Sequence, residues 1–130
     1  MTDHEFLARF EACTLDPFHH QDHVRAAFLY LRRYSALEAI ERFSAGLRNF
    51  AAAKGKPGLY HETVTWAYLF LIRERMLQRE TGQSWDEFAA RNPDLLNWKE
   101  SILRKYYCEE TLASDLARSV FLLPDKLPLR

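Results

Sequence analysis

Valine and isoleucine occupy only six positions in this chain, Val24, Ile40, Val64, Ile72, Ile102 and Val120. No stretch alternates apolar with polar residues in the manner of a half-buried strand, and there is no Asn-Gly or Asp-Gly hairpin turn. A pleated surface favours β-branched side chains, whereas the plentiful Ala, Leu, Glu and Arg lose little rotamer freedom in a helix. The expectation is therefore an all-α fold, a compact single-domain helical bundle of about five to seven helices with an extended C-terminal tail. A length of 130 residues, without internal repeats, suits one helical domain over 1–130.

Punctuation residues divide the bundle. Thr2 or Asp3 should cap a first helix running to about Cys13, with Phe6, Leu7 and Phe10 on one face. Asp16-Pro17 reads as a turn or helix start for a second helix reaching Tyr34, with Val24, Ala27, Phe28 and Leu31 as its stripe. Ser35 and Glu38 fit a capping box for a third helix, through Phe43, Leu47 and Phe50 to Ala53. Lys54-Gly55-Lys56-Pro57-Gly58 is a loop, and a central helix from His61 to Arg79 follows, apolar nearly all round as far as Ile72. Thr81-Gly82-Gln83 closes it, and Ser84 with Glu87 forms a second capping box ahead of Trp85 and Phe88. One helix or two are expected over Asp94–Tyr107, and a last one over Leu112–Phe121 with an Asp115–Arg118 ion pair. Pro124 and Pro128 then force an extended tail, which Leu122, Leu123, Leu127 and Leu129 should press across the bundle.

Charge and cysteine usage narrow the function classes. Eighteen basic and eighteen acidic residues are interleaved, so the electrostatic footprint of a nucleic-acid or anionic-membrane binder is missing. Cys13 and Cys108 have no metal-finger or redox spacing, the first residues lack a signal-peptide order, and the apolar stretch from Trp66 stops at Arg73. A cytoplasmic protein is expected, acting on a small-molecule ligand without nucleic acid or membrane, with a homodimer as an option.

The chemistry concentrates in two places. Phe18-His19-His20-Gln21-Asp22-His23-Val24-Arg25 holds three of five histidines, and His61 opens Tyr60-His61-Glu62-Thr63-Val64-Thr65-Trp66. His20 shares a helical face with Val24 and Ala27, and His23 sits beside it at i+3, so these two rank above His19. Imidazole lone pairs on one helix facing a His and a carboxylate on another could hold a divalent transition metal, zinc, iron or copper. That gives His20, His23, His61 and Glu62 as metal ligands, with Glu62 also a candidate general base and Arg25 a candidate for orienting an anionic substrate. The spacing matches neither the HExxH helix nor the Glu-x-x-His of di-iron bundles. Two other readings stay open: the histidines as the hydrogen-bonded lining of a metal-free pocket for a small molecule or partner, and His20 and His61 as core histidines bonded to Glu62, Thr65 or a tyrosine, with His19 and Asp22 a solvated helix start. Arg25 is read as pairing with Asp22 or reaching Glu62.

The segments FHHQDHVRAAFLYL, KPGLYHETVTWAYLFLI and SILRKYYCEETLASDLARSVFLLPD resemble a group of small single-domain bacterial proteins. The likeness implies a compact helical domain in which the histidine, YHET and SDLAR segments belong together, and it carries no activity with it.

Overall fold

The computed structural model describes residues 1–78 and 82–126. Among these the chain is wholly helical, with no strand. The five longer helices are α1 (Asp3–Glu11), α2 (His20–Arg33), α3 (Ala36–Ala53), α4 (Glu62–Leu77) and α5 (Trp85–Arg91). Three are short, α6 (Pro93–Leu96), α7 (Glu109–Leu112) and α8 (Asp115–Ser119), and 3-10 turns lie between α3 and α4 at Pro57–Leu59 and between α6 and α7 at Ile102–Lys105.

Helix starts follow the capping residues. Thr2 accepts from the Glu5 amide while the Glu5 carboxylate takes the Thr2 amide, and Ser84 and Glu87 do the same for α5. Ser35 accepts from Glu38 at the start of α3. The second helix begins three residues later than Pro17 suggests: His19 is its N-cap, and the His19 amide donates to Asp22 Oδ2 at 2.9 Å. His19 is exposed, so this part of the stretch is a solvated helix start.

Helices α2, α3 and α4 form the centre, with α1 laid across α2 and α3. Phe6, Phe10, Phe28, Leu69, Ile72, Leu95 and Leu103 are all within 2 % of complete burial. Phe10 touches four other rings, Phe18, Tyr30, Phe43 and Phe50, at centroid separations of 5.6 to 6.4 Å. Such rings contribute large buried area plus a modest edge or stacking preference.

Several sequence expectations change. Asp94–Tyr107 holds only α6 and a 3-10 turn, and the helix expected over Leu112–Phe121 is reduced to α8, which starts where Ser114 accepts from the Ala117 amide, after a separate α7 that ends at Leu112. Asp115 and Arg118 do not pair; the Arg118 guanidinium donates to the Gly58 carbonyl at 2.9 Å. The apolar girth of α4 is not fully covered, since Phe70 is 42 % exposed and Leu77 68 %. The tail does cross the bundle at Leu122, whose amide donates to Thr63 Oγ1 while its carbonyl accepts from Tyr107. Leu123 faces solvent, and Arg79, Thr81, Leu127, Pro128 and Leu129 lie outside the described residues. No helix among the described residues is long and apolar enough to cross a membrane.

Candidate functional site

His20 and His23 stand one turn apart near the start of α2, with ring centroids 6.3 Å from each other. Nε2 of His20 lies 2.8 Å from the Leu95 carbonyl, so that nitrogen carries the proton and donates, leaving Nδ1 with its lone pair. The same ring meets Tyr68 edge-on at 4.8 Å and Trp98 at 4.9 Å. His23 stacks on Phe18 at 4.5 Å, and Phe18 continues onto Phe50 at 4.4 Å. A row of rings thus runs from exposed Trp98 through the two imidazoles into the core.

Both imidazoles are held neutral. Burial draws His20 below the ordinary histidine range, against the opposing pull of its bond to Leu95. For His23 burial, helped by repulsion from His20, brings the value down to about 4. No protein hydrogen bond to Nδ1 of His20 or to either nitrogen of His23 exists among the described residues.

His61 stands elsewhere. It is the N-cap of α4, where Nδ1 accepts from the Val64 amide at 3.2 Å and Nε2 donates to the Leu112 carbonyl at 2.7 Å. Both ring nitrogens are committed, and the imidazole does for α4 what a serine does for α3. Tyr68, the residue of α4 that meets His20, lies two turns further on, roughly 10 Å along the axis from His61 at the helical rise. The two histidine clusters are brought to the same pair of helices and not to the same point.

Glu62 belongs to a third arrangement. Its Oε1 accepts from the Tyr60 hydroxyl and, at 2.9 Å, from Arg48 of α3, whose guanidinium lies 4.6 Å from the centroid of the Tyr60 ring. Burial and the Glu62 contact push the Tyr60 hydroxyl up to about 12. This clamp ties the end of α3 to the start of α4. Arg25 reaches neither Asp22 nor Glu62: it pairs with Asp3 of α1 at 2.9 Å and lies over the Phe6 ring at 4.4 Å.

The proposed ligand set His20, His23, His61 and Glu62 therefore divides into a pair and two separately engaged residues. Among the described residues no group of three or more His, Cys, Asp or Glu converges as a metal site. Two imidazoles on one tetrahedral ion would bring their centroids to roughly 5 Å, so even the pair would have to close by about 1 Å. The core alternative of bonds to Glu62, Thr65 or a tyrosine is replaced by bonds to backbone carbonyls.

Sequence reasoning passed over Trp98, which lies in the polar stretch Asn97-Trp98-Lys99-Glu100 and keeps 55 % of its surface exposed beside His20. An aromatic out of place in a polar loop was the available signal. Compared with protein-family models, with curated proteins and with solved structures, the chain matches none of them.

Proposed function

We propose that the protein is a metal-free binding module whose ligand contacts are His20, His23, Tyr68 and Trp98. The observation that carries this reading is the free Nδ1 of His20, a lone pair on a ring that Tyr68 meets edge-on and Trp98 borders at 4.9 Å. Because the Leu95 carbonyl holds the opposite nitrogen protonated, Nδ1 can only accept, so a ligand must bring a donor to it. Trp98, 55 % exposed beside His20, supplies a π face, which favours a flat ring or an ammonium group. The fitting class is a small molecule with an N–H or ammonium donor on or beside an aromatic ring. A carboxylate finds no donor on His20, whose one N–H is held by the Leu95 carbonyl. The metal reading would retain His20 and His23 as its two available donors and needs at least one more.

Side-chain nitrogen spectra of labelled protein separate these readings, since each ring nitrogen reports its proton and its partner. Titration with phenethylamine should shift Nδ1 of His20 and the Trp98 indole, saturably, while benzoate leaves both unmoved. Equimolar zinc should leave the Nε2 protons of His20 and His61 in place. Tight zinc uptake with perturbation of both His20 and His23, or preference for benzoate, would overturn the proposal.

A further inference from the structure

The fifth histidine, His4, lies far in sequence from the other four and lines a recess of about 360 Å³ where the start of α1 meets the end of α2. Its walls are Asp3, His4, Arg32 and Arg33, with Leu7 and Leu29 as the apolar part. Leu7 and Leu29 are 8 % and 5 % exposed, so they form a firm floor contributed by the core. The charges do not cancel. Asp3 is the only carboxylate on the lining, and Arg25 already holds its Oδ1 at 2.9 Å. Arg32 stands off at 3.8 Å from the other oxygen, beyond hydrogen-bonding distance, and Arg33 has no ion-pair partner among the described residues. Two guanidiniums thus face one shared carboxylate, in a chain whose overall charge is zero.

Basic residues in the last turn of a helix already interact favourably with its dipole, so Arg32 and Arg33 have a local reason to be there. That reason accounts for their charge and not for the apolar floor beside them; Arg32 keeps only the 3.8 Å ion pair with Asp3 and a place 5.6 Å from the Phe28 ring centroid, and Arg33 has no ion pair among the described residues. We propose that this recess binds a small amphiphilic anion, its carboxylate or phosphate head on Arg32 and Arg33 and a short apolar portion on Leu7 and Leu29. Guanidinium forks suit planar or tetrahedral oxyanions bidentately. The site is separate from the His20 and Trp98 patch and stands or falls independently of it.

The test uses the full chain and three probes in calorimetric or NMR titrations: hexyl phosphate, inorganic phosphate and hexanol. Hexyl phosphate should bind saturably, with shifts at His4, Leu7 and Leu29, and about tenfold or more tighter than inorganic phosphate, because only it uses both halves of the site. Arg32→Gln and Arg33→Gln should each weaken it severalfold while lowering thermal melting only slightly, by the lost dipole interaction of two exposed side chains. No saturable hexyl phosphate binding below about 10 mM would overturn the proposal, as would equal affinity in the Arg32→Gln/Arg33→Gln double variant. Binding to phosphatidylglycerol vesicles without any response to free hexyl phosphate would also overturn it, in favour of a lipid surface.

Discussion

Glycine is required at Gly46 and missing at Cys13, and each position yields a stability prediction. Gly46 sits inside α3, where alanine would ordinarily gain about 1 kcal/mol from its helix propensity. Yet a Cβ there would lie 2.5 Å from Cε2 of Phe10, a fully buried ring enclosed by four others. Overpacking costs about 1–3 kcal/mol, so Gly46→Ala should destabilise on balance by up to about 2 kcal/mol in urea unfolding. Cys13 follows the C-cap of α1 with a φ of 61°, the conformation that glycine adopts without steric cost. Cys13→Gly should therefore gain about 0.5–1 kcal/mol, whereas Cys13→Ser, which removes the thiol and keeps the strain, should not. His23 makes a pH prediction. Its folded value of about 4 lies below the unfolded 6.5, so between these the unfolded chain binds the extra proton. Stability accordingly rises with pH across that window and is lost as pH falls through it, by about 2–3 kcal/mol for this residue. The downward shifts of His20 and His61 act in the same direction. In His23→Gln the slope of unfolding free energy between pH 4 and 6.5 should flatten; an unchanged slope would show that His23 is not kept neutral.

At the scale of helices, local chemistry decided what could be read in the sequence. The caps Thr2, Ser35 and Ser84 were legible because each acts within three residues of itself, and the stripes of α1, α2 and α3 because burial follows the 3.6-residue period. The region after Asn92 was less legible, since helices of four or five residues depend on tertiary contacts more than on propensity. His61 stands apart from His20 and His23 for a related reason. Periodicity fixes the face of one helix, but the offset between α2 and α4 along their axes is set by packing, and it puts Tyr68 rather than His61 beside His20. Likewise the partner of Arg25 is Asp3, 22 residues away on another helix. His61 reads as a possible ligand by residue type, yet its position, just before Glu62-Thr63-Val64, is that of an N-cap. Replacing it tests the difference. His61→Ala strands the Val64 amide and the Leu112 carbonyl and should cost about 1–2 kcal/mol, while His61→Asn keeps a capping acceptor and should recover part of it. A metal ligand would respond otherwise, with both variants losing bound metal and neither favoured in stability.

For the molecule as a whole, one buried hydroxyl closes the fold. Thr63 is fully buried, and its Oγ1 lies 2.7 Å from the Ala117 carbonyl, 2.9 Å from that of Val120, and 3.1 Å from the Leu122 amide that donates to it. A single hydroxyl proton serves the two carbonyls in turn, while the lone pairs take the amide. This one side chain on α4 holds α8 and the segment after it, more than fifty residues away in sequence. Further along, the Asp125 carboxylate accepts from the Cys108 amide and the Thr111 hydroxyl, and the Lys126 amide donates to Tyr106. The last described residues are therefore tied to the preceding short helices, and these to α4 through Thr63 and His61. Short helices with few apolar contacts depend on such ties. Thr63→Val keeps the shape and removes every bond, leaving the buried Ala117 carbonyl and the half-buried Val120 carbonyl and Leu122 amide short of a partner, at a cost of about 2–3 kcal/mol. Hydrogen exchange locates the loss. If Thr63 closes the fold, amides from Ala117 to Leu122 should lose protection in Thr63→Val while those of α2 and α3 keep theirs relative to the new global stability. Uniform loss across the molecule would mean that the C-terminal helices and the central three unfold as one unit.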